Sequence, residues 1–245
     1  MEYKRTIYSK IWILIHYLFV VIFSSFAFPV LCQEITVPKL KYEKEFKDKG
    51  CGNKLNREGL KLQDEGLGLF FTKGKTAEAV NLLEKAIEHE PRLHPSYIQL
   101  SSYYLSVGKN PKKAILLLKK GVKHCSRQPI LYLSLANAYA FSEQHQEAII
   151  NYNKAEEVGM EPTPPFHYNL ANSYAKLKEF DKAIDNYRKA LSMDEKHFNA
   201  WRNLVITYYE KGDKKNAVEC ARKLEKLDPT GNFDAWAREA IKKMK

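Results

Sequence analysis

The chain has 245 residues, a formal net charge of +11 and 44% hydrophobic residues. That length supports one sizeable core or an array of repeats, and the composition excludes a disordered or low-complexity polymer. The positive balance brings anionic partners into consideration.

Lys4, Arg5 and Lys10 open the chain, and the 23 residues from Ile11 to Gln33 carry no charge. A basic start, an apolar run and a small-residue exit read as an export signal over 1–32. Cleavage fits after Ala27 or after Cys32, and Cys32 is preferred because Pro29 breaks the helix just before it. A lipid-modified Cys32 would want a small residue where Leu31 stands. The alternative is a retained anchor, since 23 uncharged residues are long enough to span a bilayer. Either way the basic start stays inside and the remainder is exported, to a periplasm or beyond the cell. Residues 33–59, with Pro38, "KYEKEFKDK" and "GCGN", read as a linker with a short helix near 42–49. The cysteines Cys32, Cys51, Cys125 and Cys220 match no metal spacing and read as ordinary thiols, although an exported compartment would permit a disulfide.

Beyond the linker a period governs the chain. Ala79, Ala114, Ala148, Ala183 and Ala217 recur at intervals of 35, 34, 35 and 34 residues. Seven residues after each comes Ala86, Gly121, Ala155, Ala190 or Leu224. Leu83, Leu118, Tyr152, Tyr187 and Ala221 follow the anchors by one helical turn, and Phe70, Tyr104, Tyr139, Tyr174 and Tyr208 precede them. Leu170, Ala171 and Tyr174 form one apolar stripe, and Ala183, Tyr187 and Ala190 the next, with "KEFD" as the turn between them. One such hairpin cannot bury its face alone, so it must stack on another.

Period and pattern resemble the tetratricopeptide repeat family, most fully at Trp201, Leu204, Tyr208, Ala217 and Pro229. The resemblance implies an all-α right-handed superhelical solenoid. Its repeats would span 60–93, 94–128, 129–163, 164–197 and 198–231, which is 172 residues. Residues 232–245 read as a capping helix, with Phe233, Trp236, Ala237, Ala240, Ile241 and Met244 on one face. Gln63 and Gly66 replace the expected aromatic and Leu, so the first repeat is expected to be the loosest.

In this family the first helices line a concave groove. Carried over by position, the groove residues are Ile98, Ser102 and Leu105; Leu133, Asn137 and Ala140; Tyr168, Asn172 and Ala175; and Arg202, Ile206 and Tyr209. Asn side chains there suit a peptide backbone, or simply follow the repeat pattern. Some members clamp a terminal carboxylate, but Asp64, Ile98, Leu133 and Tyr168 stand where cations would be needed. A groove of aliphatic, aromatic and amide groups suits an apolar helix or an extended peptide.

Charge is uneven. Residues 33–90 carry 11 basic and 11 acidic side chains, residues 143–245 carry 18 and 17, and residues 91–142 carry eight basic and no acidic ones. Lys112, Lys113, Lys119, Lys120, Lys123 and Arg127 place most of that excess on the second helix of repeat 2. This face reads as a solvated surface or as a contact for anionic lipid, cell-wall polymer or an acidic protein. Nucleic acid is not expected, since no aromatics interleave with the lysines.

The seven histidines make no ligand pair: His16 lies in the signal, His89, His94, His145 and His197 at repeat joints, His124 at a helix end, and His167 at a packing position. No metal motif, phosphate loop or nucleophile triad is present in the sequence. The reading is a non-enzyme without cofactor, metal or small-molecule substrate, an envelope scaffold that binds a peptide or protein partner in its groove. The alternatives are an envelope assembly factor acting through the basic face and an accessory subunit of an envelope enzyme.

Overall fold

The computed structural model describes residues 55–70, 72–227 and 232–244. The apolar stretch Ile11–Gln33, its cleavage points and the helix expected near 42–49 lie outside the described residues. Among the described residues no helix is long and apolar enough to cross a membrane.

Eleven helices are described: α1 Arg57–Phe70, α2 Thr76–His89, α3 His94–Ser106, α4 Pro111–His124, α5 Pro129–Phe141, α6 His145–Glu157, α7 Pro164–Lys176, α8 Phe180–Met193, α9 Phe198–Lys211, α10 Lys214–Leu227 and α11 Asn232–Met244. Proline sits in the first turn of α3, α4, α5 and α7, where its missing N–H has no intrahelical bond to lose. Asn110 and Thr163 cap α4 and α7 by accepting from the Lys113 and Phe166 N–H groups.

The helices form five antiparallel pairs with α11 at the end. Every pair turns the same way. A residue with positive φ stands five positions before each anchor alanine: Gly74 (79°), Lys109 (44°), Glu143 (59°), Lys178 (60°) and Gly212 (89°). In four turns the next N–H bonds the carbonyl of the first-helix tyrosine, as Gln144 to Tyr139 at 2.9 Å and Asn110 to Tyr104 at 2.7 Å. The α3–α4 turn has one extra residue, so α3 keeps the same rotational register as the other first helices.

The period is the core. Ala79, Ala114, Ala148, Ala183 and Ala217 are fully buried, and so are Leu83, Leu118 and Tyr152 one turn later. One apolar cluster extends from α2 to α7 and a second from α7 to α11, with Tyr174 against both. In α11, Ala237 and Met244 are buried while Arg238, Glu239, Lys242 and Lys243 face water. This is the amphipathic end that an open stack needs. The Phe233 side chain lies outside the described residues.

Two readings need correction. Gly66 marks a close approach rather than a loose seam. A Cβ there would meet Leu83 at 2.9 Å, and one at Gly59 would meet the Glu90 Cβ at 2.7 Å. Gln63 is buried and accepts from the Ser96 hydroxyl at 2.9 Å, a polar replacement for the aromatic contact. The second concerns cysteine. Cys125 is fully buried and disulfide-bonded, with its partner outside the described residues, whereas Cys220 is a free thiol. Spacing could not show this, because the sulfur is brought into place by the α4–α5 joint, 3.3 Å from the Arg92 carbonyl oxygen.

Candidate binding groove

The first helices α1, α3, α5, α7 and α9 pack on one another in succession, and among the described residues no comparable contact joins the second helices. The first helices therefore line the inner side of the stack, and α2, α4, α6, α8 and α10 form its outer side. Ser102, Leu105, Leu133, Asn137, Tyr168 and Asn172 are half-buried on the inner side, and Arg202 and Tyr209 are exposed. Ile98 is only 4% exposed and belongs to the core, so it adds little surface. Arg202 lies over the Trp236 ring, 5.6 Å from its centroid, which ties the groove's end to α11.

The asparagines form a ladder. Asn137 Oδ1 accepts from the Tyr152 hydroxyl at 2.5 Å and from Asn169 Nδ2 at 3.4 Å. One repeat on, Asn172 Oδ1 accepts from the Tyr187 hydroxyl at 2.6 Å and from Asn203 Nδ2 at 2.8 Å. Each amide oxygen is thus held by its own repeat's second helix and by the next repeat's first helix. The amide nitrogens of Asn137 and Asn172 make no hydrogen bond among the described residues and are not buried. They are fixed donors without an acceptor.

Sequence reasoning singled out the asparagines but missed their anchors. The signal was present. Asn137 and Asn172 stand in the repeats whose second helix carries Tyr152 or Tyr187. Gly68, Ser102 and Ile206 stand in those carrying Leu83, Leu118 and Ala221. Burial pushes both tyrosine hydroxyls well above their ordinary range, outweighing the hydrogen bonds of Asn203 and Thr207 that oppose it at Tyr187, and this keeps them protonated as donors.

Tyr168 is less free than the sequence suggests. Its ring lies 4.7 Å from that of His197, and its hydroxyl accepts from Asn203 Nδ2 at 3.2 Å. Towards the N-terminal end the ladder breaks. Gln99 takes the place of Asn169 and Asn203, and its buried Nε2 has no hydrogen-bond partner among the described residues. Repeat 1 offers Gly68 there, with open space where a Cβ would be. Asp64 stands on the same helix, and burial raises its carboxyl above the usual range.

On the outer side the six basic residues do not form one set. Lys113 is turned aside: its ammonium donates to the Tyr104 hydroxyl at 2.6 Å and pairs with Glu84 at 2.9 Å. Lys112, Lys119, Lys120, Lys123 and Arg127 are exposed. His167 is buried with Nδ1 3.0 Å from Asn186 Oδ1, and His197 Nδ1 caps α9 by accepting from the Ala200 N–H. Both are packing groups.

Stacked helix pairs with a lined inner face define a helical-repeat binding solenoid. A tetratricopeptide repeat family profile matches residues 164–197, and a second profile of the same description matches 130–158 and 198–230. The chain thus carries tetratricopeptide repeats at residues 130–158, 164–197 and 198–230. Its fold, a right-handed superhelical solenoid, is shared with solved structures. A crystal structure of MamA protein is 25% identical, covers 70% of this chain and 92% of its own, and superposes with a TM-score of 0.63. MamA 41-end from Desulfovibrio magneticus RS-1 is 16% identical over 73% of this chain and 99% of that one, with a TM-score of 0.64. YrrB, described as a TPR protein with an unusual peptide-binding site, is 23% identical over 66% and 88%, with a TM-score of 0.54. No curated protein sequence matches the chain.

Proposed function

We propose that this protein is a non-catalytic scaffold of the cell envelope that holds an extended peptide segment of a protein partner along α5, α7 and α9. The observation that carries the reading is the pair of spare amide donors on Asn137 and Asn172. They are held at equivalent places in successive repeats, beside the apolar flanks of Leu105 and Leu133. A helix satisfies its own carbonyls, whereas an extended chain presents free ones, so donors of this kind favour the extended peptide over the apolar helix. Leu105, Leu133 and the Tyr168 ring supply the apolar contact, and Arg202 and Tyr209 bound the far end. The export reading of residues 1–32 places this groove outside the cytoplasm, and the Cys125 disulfide supports an oxidising compartment.

The test is selection of extended peptides from a displayed random library by the full chain, followed by titration of Asn137→Asp and Asn172→Asp. The carboxylate keeps the acceptor for the tyrosine hydroxyl and removes the spare donor. Binding should weaken about tenfold for each lost donor, with the unfolding midpoint unchanged. Binding that survives both substitutions would place the contact elsewhere. Sequencing the mature N-terminus from the native source separately tests removal of residues 1–32.

A further inference from the structure

Five lysines occupy one repeated place on the outer side, six residues after each anchor alanine: Lys85, Lys120, Lys154, Lys189 and Lys223. Three of them are neutralised. Lys154 pairs with Glu157 at 2.7 Å, Lys189 with Asp185 at 2.7 Å and Lys223 with Glu195 at 3.0 Å. Lys85 and Lys120 have no ion-pair partner among the described residues, and only Lys120 stands in a stretch, residues 91–142, that carries no acid of its own. Lys112, Lys119 and Lys123 join it on the same arc of α4, and none of the four has an ion-pair partner among the described residues.

At the centre of that arc stands a large aliphatic side chain. Leu116 lies one turn after Lys112 and one turn before Lys119 and Lys120, and it is 63% exposed. The same position holds Ile150 in the next repeat, 58% exposed, and Asn81, Asp185 and Glu219 in the other three. Three of the five repeats hold a polar residue there, and Leu116 departs from it where acid is missing, whereas Ile150 stands one turn after Glu147. A single exposed leucine is ordinary on its own, and what sets Leu116 apart is the ring of exposed lysines without ion pairs around it.

We infer that the outer face of α4, with Leu116 ringed by Lys112, Lys119, Lys120 and Lys123, docks on an anionic lipid bilayer. The chemistry selects this occupant. A polysaccharide offers nothing apolar for Leu116. A protein partner would be expected to meet aromatic or arginine anchors, and lysine is depleted at such interfaces. Headgroup phosphates take flexible ammonium groups on apolar stems, and shallow aliphatics enter the boundary beneath them. The inference does not depend on the groove, which faces the opposite way.

The test uses the full chain and vesicles of phosphatidylcholine, alone or with phosphatidylglycerol, with lysine-reactive labelling read residue by residue. A local readout separates this face from any contribution of the apolar N-terminal stretch. Labelling of Lys119, Lys120 and Lys123 should slow about tenfold with the anionic vesicles, recover as salt rises, and stay unchanged with phosphatidylcholine alone. Lys189 and Lys223 should be unaffected. Leu116→Asp copies Asp185 of repeat 4, so it should keep the fold by circular dichroism and lose the protection. Equal labelling with and without anionic vesicles would overturn the inference. Protection spread equally over Lys189 and Lys223 would overturn it as well. Protection by polyglutamate but not by vesicles would assign the face to an acidic protein and also overturn it.

Discussion

Repeats 2 and 4 share a backbone and differ on both faces. Leu100 and Leu170, Ala114 and Ala183, Leu118 and Tyr187, and Gly121 and Ala190 occupy matching buried places. Inside, repeat 4 carries Asn172 and Tyr168 where repeat 2 carries Ser102 and Ile98. Outside, repeat 4 carries the Asp185–Lys189 pair where repeat 2 carries Leu116 and unpaired lysines. The stack is made by residues that touch neither surface, so each surface can change without loss of the fold. Function in such a chain is found where one repeat departs from the others, not in what all repeats share.

The largest effect that could break this comparison is in the core. Leu100→Ala and Leu170→Ala should each cost about 2–5 kcal/mol in urea unfolding. Costs that differ widely between the two repeats would mean that the stacks are not equivalent. Asn172→Ala should cost about 1–3 kcal/mol, because it strands the buried Tyr187 hydroxyl. Ser102→Ala should cost less, having no such tyrosine beside it. Gly212→Ala should cost about 1–2 kcal/mol and Lys178→Gly should gain up to about 1 kcal/mol, since both residues hold positive φ in equivalent turns. Leu116→Asp should change stability by no more than about 0.5 kcal/mol, and a larger loss would show that it packs.

Acid should expose a further contrast between the repeats. Arg92 hydrogen bonds hold the Glu90 carboxyl below its ordinary value of 4.5, against the opposing effect of its burial. A depressed carboxyl contributes its stability above the unfolded value and loses it as pH falls through the folded one. The joint between repeats 1 and 2, where Glu90 accepts from the Asn56 N–H at 2.8 Å and from Arg92 at 2.7 Å, should therefore loosen below pH 4.5. Hydrogen exchange across α1 should then rise in the native chain and change less with pH in Glu90→Gln.

Much of this was legible in the sequence. The anchor alanines and their flanking aromatics recur with the period of the stack, and they mark the buried seams. The amphipathic end helix follows from the same logic. The groove was legible as a set of positions, but not as chemistry. Nothing local marks Ile98 as core while Leu133, Tyr168 and Arg202 at the matching places stay open, because that depends on how α3 packs against its neighbours. The ladder needs residues 15 and 31 positions apart to meet, and the Cys125 disulfide needs a contact across a joint. Gly66 read as a missing side chain, because sequence alone does not show how closely two helices approach.

The central claim is that the spare amides of Asn137 and Asn172 meet a peptide backbone. It is tested most directly by following their side-chain amide signals by NMR as a selected peptide is added to the full chain. The account predicts that both NH2 pairs shift together, with the same midpoint as binding, while the Asn203 pair, already spent on Asn172, moves less. If binding leaves both pairs in place while other signals move, the groove amides are not the contact.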